Sequence, residues 1–137
     1  MMNYQNAAAQ YRAVRSAGLV TDASPARLVQ IMYEHILSHL ATAQGCMGRI
    51  KGNLPWQEVK AKGVAISKAV RLIGQLDGSL NMEQGGRIAQ NLRNLYVYML
   101  NRLTMANVTN DAAIVAEVAQ LVRKIKSGWD QIVTDAR

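Results

Sequence analysis

Apolar residues recur at intervals of three and four along four successive stretches of this chain, and that repetition narrows its fold more than any other feature. The first stretch, residues 25–50, opens with Ser24 as N-cap and Pro25 at the first helical position. Behind them Val29, Met32, Ile36, Leu40, Ala43, Met47 and Ile50 fall on one helix face. A Gly-Asn-Leu-Pro break from Gly52 to Pro55 restarts the chain, and Val59, Gly63, Ile66, Val70, Ile73 and Leu80 form a second seam with Asp77 in its one polar slot. The third stretch runs from about Gln84 to Ala106, with Ile88, Leu92, Leu95, Met99 and Leu103 on one face. The fourth follows Asn110, read as its cap, and carries Ile114, Val118, Leu121, Ile125, Trp129 and Ile132. No stretch alternates as a strand does. Four long helices with short connections predict an all-α fold, an antiparallel up-and-down four-helix bundle over residues 24–137. Residues 1–23 stand apart: Tyr4, Tyr11 and Val14 mark a short helix, and Ser16 to Thr21 a glycine-containing link.

A chain of 137 residues, half of them apolar, buries roughly two-thirds of its unfolded surface, enough for a core without disulfides or metal. The lone Cys46 excludes an internal disulfide framework and a cysteine-based zinc site. No apolar run of membrane-spanning length and no secretion-signal pattern is present, so the expected compartment is the cytoplasm. The net charge of +7 raises nucleic acid as a partner. The excess is diffuse, however: each segment up to residue 107 is slightly positive and 108–137 balances. Lys60 and Lys62 point to different helix faces, and Arg123, Lys124 and Lys126 suit the end of a helix. No basic stripe is read, and a basic helical nucleic-acid binder stands only as an alternative.

Catalytic signals are absent from the sequence. His35 and His39 lie four apart and could meet on one helix face, but no third ligand accompanies them, Glu34 points elsewhere, and a solvated face is the plainer reading. Cys46 sits beside the seam with no basic neighbour to activate it, as a buried thiol does. Gly85-Gly86 lacks the preceding strand and Lys-Ser/Thr of a phosphate loop, and reads as a helix start where two elements approach closely. No catalysis, cofactor or metal is expected.

Two stretches are more apolar than a bundle core requires. Leu95 to Leu100 is unbroken, with Tyr96 and Tyr98 on different faces, and from Ala112 to Val122 only Glu117 and Gln120 are polar. Such surface is covered by the N-terminal segment, by a second copy of the chain, or by a partner helix, unless its alanines simply tolerate exposure.

Three blocks carry a resemblance. Ala23-Ser24-Pro25-Ala26-Arg27-Leu28-Val29, leading to Met32-Tyr33-Glu34, resembles the Ser-Pro helix opening of the FliS family, the cytosolic secretion chaperones of flagellin. The run LDGSLNMEQGGRIAQNLRNLYVYMLNRL, Leu76 to Leu103, is similar to that family's Met-Glu-x-Gly-Gly, Asn-Leu, Leu-Tyr-x-Tyr-Met and Arg-Leu series. Ala9-x-Tyr11 near the start and Ala106-Asn107, Asn110-Asp111-Ala112 and Trp129 near the end also fit.

The resemblance implies a four-helix bundle with a short N-terminal helix that binds the disordered C-terminal segment of flagellin. It thereby prevents premature polymerisation and supports flagellar type III export. Client folding onto apolar grooves follows the logic of coupled folding and binding. The implied client-contact residues are Tyr11, Leu28, Val29, Met32, Tyr33, Ile36, Tyr96 and Met99, with Tyr33 expected to line the groove at a wet edge and Tyr96 and Met99 equally suited to core packing. The empty groove is expected to be partly filled by residues 1–23. An anti-sigma factor, an export-gate component or a co-chaperone are further partners that the family implies. A monomer or weak homodimer, with no membrane insertion, completes the expectation.

Overall fold

The computed structural model describes residues 25–50 and 56–135, side chains of Pro25 and of 132–135 excepted. They form α1 (Pro25–Arg49), α2 (Trp56–Gly78), α3 (Met82–Thr109) and α4 (Ala112–Asp135), with no strand among the described residues. The all-α expectation holds, as do the four helices in their expected places. Ser24, the Gly52 to Pro55 break and the whole segment 1–23 lie outside the described residues.

Each helix packs on its chain neighbours, and α1 on α4 closes the ring. Side-chain bonds fix the antiparallel sense. The Trp129 indole N–H, late in α4, donates to the Ala26 carbonyl at the start of α1, 2.8 Å away. Arg93, early in α3, pairs with Asp77 near the end of α2 at 3.2 Å. That pair settles the polar slot in the second seam: Asp77 is a half-buried carboxylate with a partner on the next helix.

The core is a single cluster drawn from all four helices, and every predicted seam residue of α1 from Val29 to Ile50 is buried in the protein. In α2 the structure corrects the predicted seam. The buried face is Lys62, Ala65, Ile66, Ala69, Leu72, Ile73 and Leu76, while Val59, Gly63 and Val70 sit at its edge. Ile66, Ile73 and Leu80 of the expected seam are buried, and alanines, leucines and Lys62 make up the rest of the buried face.

Junction chemistry explains two further differences. α3 begins at Met82, with Asn81 as N-cap accepting from the Gln84 amide at 2.9 Å. Its first turn is then broken at Gly86, which adopts φ 56° and ψ −132°. A Cβ there would meet nothing within 4 Å, so glycine is needed for its backbone angle and not for the close approach read from sequence. Beyond the break the buried face runs through Ala89, Tyr96 and Leu103, seven residues apart, and Ile88 is 63% exposed. Asn110 caps α3 at its C-terminus, not α4 at its start. It sits in the left-handed region (φ 54°), where asparagine is among the tolerated residues, and its N–H returns to the Ala106 carbonyl. Asp111 caps α4 instead, its carboxylate accepting from the Ala113 amide at 3.0 Å, where negative charge suits a helix N-terminus.

Candidate functional site

Seven of the eight residues expected to contact a client lie in the protein core: Leu28, Val29, Met32, Tyr33 and Ile36 on α1, and Tyr96 and Met99 on α3. The eighth, Tyr11, lies outside the described residues. Tyr33 corrects the expectation of a wet edge. Its hydroxyl is buried and shares a hydrogen bond with the Tyr96 hydroxyl at 2.7 Å, so the polar tip is satisfied inside the bundle. Burial pushes the Tyr33 phenol up to about 12, against the opposing pull of its bond to Tyr96.

The two apolar-surplus stretches meet on the surface. Leu95 and Tyr98 of α3 face Leu121 of α4 across a groove of about 610 Å³, with Glu117, Gln120 and Lys124 along its edge. Tyr98 is 42% exposed and donates its hydroxyl to Glu117 at 2.9 Å, while Arg102 donates to the other carboxylate oxygen at 2.9 Å. The Arg102 bond, then the Tyr98 bond, hold the Glu117 carboxyl below its ordinary range; accepting from Tyr98, that carboxylate in turn raises the phenol. The arrangement fixes an aromatic wall without burying it. Val97, Met105 and Val108 add exposed apolar area along α3, Val108 at 81%. An open apolar wall with a fixed polar edge has the form of a surface on which an apolar helix face can pack.

The other candidate chemistry is modest. The His35 and His39 rings stand 6.4 Å apart, and among the described residues no group of three or more His, Cys, Asp or Glu is placed to hold a metal ion. Burial, then the neighbouring Lys68 and His35, lower the affinity of His39 for a proton. Cys46 is buried as expected, but Arg49 does approach it, its guanidinium 3.7 Å from Sγ, while also pairing with Glu58 at 3.1 Å. That guanidinium bridges the α1–α2 junction. No described helix is long and apolar enough to cross a membrane.

One lysine departs from what its sequence position predicts. Lys62 does face away from Lys60, yet into the protein: it is 6% exposed, and its ammonium donates to the Asn107 carbonyl at 3.0 Å and the Asn110 side-chain oxygen at 3.4 Å. It thus ties α2 to the C-terminal cap of α3. Only its place within the apolar face of α2, between Val59 and Ala65, could have signalled this.

Comparison with known proteins places the chain in a lineage. The family model described as flagellar protein FliS matches residues 5–136. The flagellar secretion chaperone FliSB of Pseudomonas aeruginosa is 42% identical over 123 residues, covering 90% of this chain and 92% of the relative. The flagellar secretion chaperones FliS of Vibrio cholerae and Salmonella typhimurium are each 37% identical, covering 89% of this chain and 85% and 86% of their own lengths.

Proposed function

Because the chain belongs to the FliS family of flagellar proteins, we propose that it is a flagellar export chaperone that binds the disordered C-terminal region of flagellin in the cytosol. Binding there keeps the subunit from polymerising early and holds it ready for type III export. The protein works by covering surface, not by catalysis. The observation that carries the client-binding part is the α3–α4 groove, where Leu95, Tyr98 and Leu121 leave apolar wall open to solvent in the two stretches whose sequence exceeds the needs of a core. A disordered segment gains helix and buried area together on such a wall. On this reading Tyr11 also contacts the client, and Leu28, Val29, Met32, Tyr33, Ile36, Tyr96 and Met99 do so where an entering client helix uncovers them. Residues 1–23 compete with the client for that surface.

Calorimetric titration with a peptide spanning the C-terminal region of the host's flagellin tests the proposal. The expected result is a one-to-one isotherm with favourable enthalpy and a negative heat-capacity change, the mark of a client folding onto apolar surface. A folded protein that gives no heat at several temperatures overturns it.

A further inference from the structure

The positive charge that looks diffuse along the sequence is gathered by the fold. Lys60, Lys68 and Arg71 are separated by eight and three residues on α2, which places them within one sector of the helix and spans about 16 Å along its axis. All three are exposed, and among the described residues no carboxylate pairs with any of them. The two acidic residues of α2 are engaged elsewhere, Glu58 by Arg49 and Asp77 by Arg93. Segment totals conceal the stripe because they average those opposite faces.

Between the cations the surface is apolar and concave. One groove, about 470 Å³, runs between α1 and α2 with Ala61, Val64 and Ala65 as its wall, His39 opposite, and Lys60 and Lys68 at its rim. A second, about 420 Å³, continues from it past Val64 to Arg71. Val64 is 46% exposed at the junction of the two. His39, disfavoured as a cation first by its burial, also feels the positive field of Lys68.

We propose that this α2 face is a second docking surface, distinct from the α3–α4 groove, for an acidic amphipathic helix of a partner protein. Charge complementarity selects the occupant. An apolar stripe on the partner seats against Ala61 and Val64, and carboxylates flanking that stripe meet Lys60, Lys68 and Arg71. A second copy of this chain, itself at net +7, brings the wrong charge to the face. A nucleic-acid strand satisfies the cations but leaves the apolar wall uncovered.

The test uses the full chain and a fluorescein-labelled synthetic helix of about 18 residues, long enough to hold its fold. It carries leucines on one face and glutamates beside them, and its control has lysine at every glutamate. Anisotropy at physiological salt is expected to show binding of the acidic helix at least about tenfold tighter than the control. Lys60→Glu/Lys68→Glu/Arg71→Glu abolishes that preference and Val64→Asn weakens binding, with the helical circular dichroism of both variants unchanged. Heat released on titration with the flagellin peptide stays as in the parent for both variants. The proposal is overturned if the acidic helix binds no better than the control, or if the triple variant binds it as the parent does. It is also overturned if Val64→Asn is silent while a thymidine oligonucleotide competes fully, since the face would then be a polyanion surface. Loss of flagellin-peptide binding in the triple variant would equally overturn it, by merging the two surfaces.

Discussion

The hydroxyls of Tyr33 and Tyr96 meet at 2.7 Å inside the bundle and join α1 to α3, two helices that share no broad interface of their own. One phenol donates and the other accepts, so the bond satisfies polar atoms of both helices inside the core. Removing the Tyr33 hydroxyl deletes that buried bond. Tyr33→Phe is therefore expected to cost about 0.5–1.5 kcal/mol of unfolding free energy in urea titration. Tyr33→Phe/Tyr96→Phe should cost less than the two single changes added together, because each single change already removes the same shared bond.

The same pair sets an alkaline limit. With its folded value at about 12 and an ordinary value of 10, Tyr33 keeps its proton longer in the folded chain than in the unfolded one. Its contribution is complete below pH 10 and is lost as pH climbs towards about 12. The gap in unfolding midpoint between the parent and Tyr33→Phe should narrow across that window. A gap constant from pH 9 to about 12 would contradict the assignment.

Lys62 makes a different kind of link, a buried cation whose partners are a backbone carbonyl and the Asn110 amide. Lys62→Met keeps the apolar stem but leaves both oxygens without their donor, at an expected cost of about 1–3 kcal/mol. The damage should be local as well as global. Amide exchange at Ala106 to Asn110 is expected to quicken more than in the middle of α3, because the tie to the C-terminal cap is gone.

Gly86 and Gly74 offer a paired test of backbone preference. Neither would meet an atom within 4 Å of an added Cβ, so packing does not separate them. Gly86 has φ 56° and ψ −132°, angles that an L side chain resists, and Gly86→Ala is expected to lower stability by about 1–3 kcal/mol. Gly74 lies within α2 at ordinary helical angles, and Gly74→Ala should raise stability by about 0.4–1 kcal/mol. Thermal midpoints moving in the same direction for both variants would refute the distinction.

Periodicity made the four helices legible, since a three-four repeat sustained over more than twenty residues has few other uses. It failed where small or charged residues carry the packing. Ala65, Ala69 and Lys62 form much of the buried face of α2, yet none of them scores as a core former. It failed again at the start of α3, where the small Ala89 takes the core position and Ile88 faces outward. The apolar surplus around Tyr98 was visible as composition, whereas the groove it lines depends on how α3 meets α4. The family motifs named core positions such as Met32 and Tyr96 more readily than open ones, and a motif alone does not say which of its residues face solvent.

That distinction decides how client binding is best probed. Met32 is buried, so a charge there would disrupt the bundle and any loss of client would follow from unfolding; even Met32→Ala is expected to cost about 2–5 kcal/mol. Tyr98 is exposed on the proposed groove, and its replacement removes an aromatic wall with little effect on the core. Tyr98→Ala should weaken the flagellin peptide about tenfold or more, as loss of an aromatic anchor does, while the urea midpoint shifts by no more than about 0.5 kcal/mol in unfolding free energy. Tyr11→Glu should likewise weaken the client if Tyr11, which lies outside the described residues, makes the contact proposed for it. If Tyr98→Ala bound the peptide as tightly as the parent while Tyr11→Glu did not, the client would lie on the face formed with the N-terminal segment, and the α3–α4 groove would no longer support the proposal.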